Sequence, residues 1–63
     1  MEAHFENRIY FFDIISKDKN EVVVELYKMT YTFVKVDGRW RNHVNNRMVM
    51  RQELLEVIVG LVL

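Results

Sequence analysis

The chain has 63 residues and a mass of 7.7 kDa, and its nine basic and nine acidic side chains cancel. Half of it is apolar (51%), with no Cys and no Pro. That excludes a disordered tail, which needs low hydrophobicity and high net charge, and it excludes disulfide scaffolds and thiolate zinc sites, which need Cys. One small globular domain spanning 1–63 remains.

Met1–Arg8 carries Glu2 and Glu6 and lacks the apolar stretch an export signal requires. The longest apolar run, Val57–Leu63, falls short of the ~20 residues of a membrane span. The sequence therefore reads as a cytoplasmic protein without membrane contact. His4 and His43 have no ligand-like spacing, so neither a metal nor a cofactor is expected.

Arg8–Ser16 is rich in aromatic and β-branched residues and predicts a strand. Glu21–Leu26 alternates apolar and charged positions and predicts a second. A three-residue loop, Asp18-Lys19-Asn20, pairs Lys17 with Glu21 and places Asn20 in a left-handed conformation. This register gathers Tyr10, Phe12, Ile14, Val22, Val24 and Leu26 on one apolar face, which a one-residue slip would mix with charge.

Asp37-Gly38 is the strongest hairpin signal, because Asp-Gly suits a type I′ turn. It pairs Val36 with Arg39, Lys35 with Trp40, Phe33 with Asn42 and Tyr31 with Val44. Tyr31, Phe33, Trp40 and Val44 then share one face, and Arg39, Arg41 and His43 the other.

No Gly, Pro, Asn or Asp occurs from Glu21 to Val36, yet the apolar parity changes from even to odd between Leu26 and Tyr31. A β-bulge near Tyr27–Thr30 in one long strand explains that switch. The alternative, a tight turn at Lys28-Met29, lacks turn chemistry. Both readings give an antiparallel meander.

Asn45 or Asn46 is a candidate cap for a C-terminal helix. On a helical projection Gln52, Glu53, Glu56 and Gly60 form a polar stripe, and apolar residues cover an arc of roughly 200°. Gly60 is a candidate C-terminal cap, and a short strand over Val57–Leu63 is the competing reading. The fold expected is α+β, a three-stranded antiparallel meander with a long bulged middle strand, followed by one helix.

Three strands cannot cover so wide an arc, and so short a chain builds a small core. The sequence therefore predicts a homo-oligomer, most simply a C2 dimer, with Trp40, Leu54, Leu55, Ile58, Leu61 and Val62 at the interface.

Groups for catalysis are scarce. Asp13 reads as an outward strand carboxylate, His43 as a strand-end residue, and no Ser, Cys or phosphate-loop motif is present. An enzyme is not expected. The chain reads as a small non-enzymatic protein-interaction module, such as a regulator, inhibitor or assembly subunit. The alternative is a nucleic-acid binder using Arg39, Arg41, His43, Arg47 and Arg51, since residues 39–63 carry a net +2 against −2 for residues 1–38. A third reading is a polar ligand site at Asn42, His43 and Asn46, which requires a concave surface. Met48 and Met50 are expected to fill the core.

Overall fold

The computed structural model describes all 63 residues. The chain is α+β: β1 (Glu2–Phe5), β2 (Arg8–Lys17), β3 (Glu21–Leu26), β4 (Met29–Val36), β5 (Arg39–Asn42) and α1 (Gln52–Val62). The strands form one antiparallel meander in chain order, curled into a half-barrel. The helix packs against both outermost strands, β1 and β5.

Five strands replace the three expected, for two reasons. The first is Glu2–Phe5, which pairs with β2 through Ala3↔Tyr10 and Phe5↔Arg8. A two-residue turn at Glu6-Asn7 joins them, both at positive φ (50° and 62°). The second is the parity switch. It is a hairpin turn at Tyr27-Lys28 (φ 52° and 62°), not a bulge in one long strand, and it lies one residue before Lys28-Met29. Leu26 then faces Met29, Val24 faces Tyr31 and Val22 faces Phe33. A two-residue turn pairs even with odd positions, which is the parity change the sequence displays.

Tyr and Lys are poor choices for two left-handed positions, at roughly 1–2 kcal/mol per residue. Pairing of the flanking strands on a buried face outweighs that cost. The double substitution Tyr27→Asn/Lys28→Gly supplies the residues such a turn prefers. It is expected to stabilise the chain by about 1–2 kcal/mol in denaturant melts. Lower stability would contradict the turn.

A bulge does exist, but in β2. Ile14 pairs with Val24 and Ser16 with Val23, leaving Ile15 extra and 57% exposed. This shift gives Lys17 the partner Val22 rather than Glu21. The next loop is held by Asp18, whose Oδ1 accepts from the backbone N–H groups of Asn20 (2.7 Å) and Glu21 (2.8 Å). Asn20 is not left-handed; the side chain of Asp18 makes the turn instead. Asp37-Gly38 forms the expected turn (φ 53° and 79°), with Phe33↔Asn42 and Lys35↔Trp40 paired. The expected pair Tyr31–Val44 does not form: β5 ends at Asn42 and Val44 is 92% exposed.

Directly opposed residues share a face. The inner face brings Ala3, Phe12, Val22, Val24, Leu26 and Phe33 against Leu54, Leu55, Ile58, Val59 and Val62 of the helix. Met50 joins this core and Met48 does not, being 54% exposed. The helix runs through Gly60 to Val62, so Gly60 is no cap and Val57–Leu63 is no strand. Its last turn is held by the Leu63 N–H to the Val59 carbonyl and by the Lys17 ammonium to the Val62 carbonyl (3.1 Å). A cation there complements the helix dipole.

No helix is long and apolar enough to cross a membrane.

Candidate functional site

The segment from His43 to Arg51 joins the last strand to the helix. Two Asn side chains pin it. Asn42 accepts from the Met50 N–H at Oδ1 and donates from Nδ2 to the Met50 carbonyl, both at 2.9 Å. Asn46 does the same to Thr32: the Thr32 N–H donates to Oδ1, and Nδ2 donates to the Thr32 carbonyl, again at 2.9 Å. Each amide imitates one residue of a neighbouring strand. Asn46 thereby extends the ladder of β4 beyond the end of β5. Neither Asn45 nor Asn46 caps the helix; Arg51 occupies that position without a side-chain cap. Gln52 ties the helix start to β5 by donating to the Trp40 carbonyl (2.7 Å).

This pinned loop holds its backbone inward and presents Val44 (92% exposed), Met48 (54%) and Val49 (80%) to solvent.

The outer face of the sheet lies beside the loop. Its cross-strand rows are Glu25–Thr30, Val23–Thr32 and Glu21–Val34–Arg41. Arg39 and Arg41 stand on this face, four and two positions before His43, as the hairpin register requires. Between the sheet and the loop lies a hollow of about 560 Å³. Glu21, Val23, Thr30 and Thr32 line its floor. Lys28 lines it from the β3–β4 turn, and His43, Asn45, Asn46 and Arg47 from the loop. Val23 is its one apolar residue. The backbone N–H of Asn45 donates to His43 Nδ1 (3.0 Å), which leaves the imidazole hydrogen on Nε2.

The five cationic candidates divide. Arg39, Arg41, His43 and Arg47 gather on or beside the outer face, and none has a carboxylate within 4.0 Å. Arg51 is elsewhere. It makes a bidentate pair with Glu6 (2.6 and 3.3 Å) and lies 5.1 Å from the centre of the Phe5 ring. The hydrogen bond and charge of Glu6 hold its pKa above the ordinary value. Arg51 thus fastens the helix start to the β1–β2 turn.

Of the residues read as a dimer interface, Leu54, Leu55, Ile58 and Val62 are buried within one chain, Trp40 is half-buried, and Leu61 is 45% exposed. The curled sheet covers Leu54, Leu55, Ile58, Val59 and Val62 of the helical arc and leaves Leu61 and Leu63 exposed. Asp13 is exposed on the outer face, opposite Glu25. No cluster of three potential metal ligands occurs.

Of the polar site read from the sequence, His43 and Asn46 line the hollow while Asn42, bonded to Met50, does not, and Lys28, Thr30 and Glu21 were missed. The parity switch was the available signal: read as a turn at Tyr27-Lys28, it carries Lys28 to the rim. Compared with known proteins, the chain matches no family model, no curated protein and no solved structure.

Proposed function

We propose that this chain is a small non-enzymatic protein-interaction module that docks through its β5–α1 loop and the adjoining Arg face. The observation that carries this reading is the exposure of Val44 and Val49 on a loop fastened by four side-chain hydrogen bonds of Asn42 and Asn46. A fastened loop loses little further entropy on binding, so its apolar contacts are not offset by ordering. Arg39 and Arg41, lacking acidic neighbours within ion-pair distance, favour a partner with acidic groups around an apolar cleft.

Nucleic acid fits this face less well. Glu21, Glu25 and Asp13 stand on the same side of the sheet, and Trp40 shares the opposite side with Phe33 and Lys35. A stacking platform wants exposed aromatics beside the cations, and the exposed Phe11 and Tyr27 belong to β2 and the β3–β4 turn, not to the strand of Arg39 and Arg41.

The test compares proteins retained from a cell extract by the wild-type chain with those retained by Val44→Ser/Val49→Ser and by Arg39→Glu/Arg41→Glu. The expected result is a discrete set lost by both variants while circular dichroism stays unchanged. Retention indifferent to both variants overturns the reading. Loss on nuclease treatment transfers the face to nucleic acid. Light scattering that gives a two-chain mass, returning to one chain in Val44→Ser/Val49→Ser, replaces the acidic partner by a homodimer.

A further inference from the structure

The hollow on the outer face has a chemistry that the docking loop does not require. Its volume of about 560 Å³ falls in the ~300–1,000 Å³ range of small-molecule sites. With one apolar lining residue, it must recognise a ligand by charge and hydrogen bonds.

Much of the lining's polar capacity is already committed inside the fold. The amide of Asn46 is bonded to the Thr32 backbone, and Nδ1 of His43 accepts from Asn45. The free groups are therefore the Lys28 ammonium, the Arg47 guanidinium, His43 Nε2–H, the Thr30 and Thr32 hydroxyls and the Asn45 amide. Nearly all can donate. Glu21 is the one carboxylate, and its strand position lies four residues from Glu25, the residue opposite Thr30. Lys28 and Arg47 have no carboxylate within ion-pair distance. An excess of donors with unpaired cations suits an oxyanion.

Lys28 is the second residue of the β3–β4 turn (φ 62°), and that turn places its cation on the rim.

We propose that the hollow binds a small phosphate-type oxyanion, free phosphate or the phosphate ester of a small molecule. Lys28 and Arg47 supply the charge, and His43 Nε2–H and the Thr30 hydroxyl supply directional donors. The hollow shares the β5–α1 loop with the docking surface, but Val44, Val49, Arg39 and Arg41, the residues changed in the docking test, do not line it, so the two readings fail separately.

The test is an amide NMR titration with sodium phosphate, glycerol 3-phosphate and, at matched ionic strength, sodium chloride. Saturable shifts at Lys28, Thr30 and His43 are expected with a phosphate and not with chloride. Tighter binding of glycerol 3-phosphate assigns the site to esters; tighter binding of inorganic phosphate assigns it to the free ion. Arg47→Gln and Lys28→Gly should each weaken binding by about tenfold or more, the effect of one charge-assisted hydrogen bond. Lys28→Gly relaxes the turn, so its loss of binding cannot be ascribed to unfolding. Glu21→Gln removes a repelling charge and should tighten binding. Shifts that never saturate, an equal response to chloride, or affinity unchanged in Lys28→Gly and Arg47→Gln would overturn the proposal.

Discussion

Phe33→Ala is expected to leave the chain without a cooperative unfolding transition at 25 °C. Phe33 is fully buried on the inner face of β4, opposite Val22 on one side and Asn42 on the other. Its ring stacks at 6.2 Å from that of Tyr31. Removing a buried Phe side chain costs about 3–5 kcal/mol. A core from a chain of this length supplies only about 3–5 kcal/mol in total. The two quantities are equal within their spread, so the variant has nothing left to hold it folded. Circular dichroism in a urea titration decides the matter. A sigmoidal transition with a midpoint near the wild-type value would show that the core is organised around other residues. Replacement by Leu keeps most of the volume and is expected to retain the transition at a lower midpoint.

Asn42→Ala carries the second large effect, and it acts through the backbone. Asn42 satisfies both the N–H and the carbonyl of Met50, a residue only 5% exposed. Truncation leaves both groups without a partner. Each unsatisfied buried group costs about 1–3 kcal/mol, so a loss of about 2–4 kcal/mol is expected in this part-buried setting. For a domain of this size that corresponds to about 10–25 °C in Tm. Asn45→Ala is the control, because its side chain makes no hydrogen bond within the chain, and it should shift Tm by no more than a few degrees. Hydrogen exchange adds a local readout: the Met50 amide should lose protection in Asn42→Ala and keep it in Asn45→Ala. Equal melting of the two variants would mean that the clamp does not hold the loop.

Much of the meander was legible in the residues, and the reason is local. Alternation in Glu21–Leu26 and the Asp37-Gly38 turn each depend on neighbours in sequence. The register Ile14↔Val24 also followed, because a slip would have moved charge into the apolar face. What stayed hidden was β1 and the turn at Tyr27-Lys28. Both turns at fault, Glu6-Asn7 and Tyr27-Lys28, put residues without Gly into left-handed geometry, Asn7 being the only favourable one. Their cost is offset by contacts that neighbours in sequence do not reveal. The bulge was assigned to the wrong strand for the same reason. The parity change at Leu26–Tyr31 belonged to a turn, and the true extra residue, Ile15, lies in a run whose apolar pattern tolerates it.

The candidate site divides along the same line. Asn-rich composition marked residues 41–47 as unusual, and hairpin register put Arg39, Arg41 and His43 on one face. Which Asn side chains serve the fold and which remain free depends on Met50 and Thr32, eight and fourteen residues away in sequence.

By itself, the sequence determined an α+β meander ended by an apolar helix, the Asp-Gly hairpin and an outer face bearing Arg39 and Arg41, because each rests on short-range periodicity or turn chemistry. The tertiary structure alone decided the rest. Curling five strands into a half-barrel buries Leu54, Leu55, Ile58, Val59 and Val62 within one chain and leaves Leu61 and Leu63 exposed. It carries Arg51 away to Glu6 and brings Lys28 within one hollow with His43 and Arg47. Long-range pairing sets these positions, and the energy that holds Tyr27-Lys28 in its turn comes from the core the two strands bury.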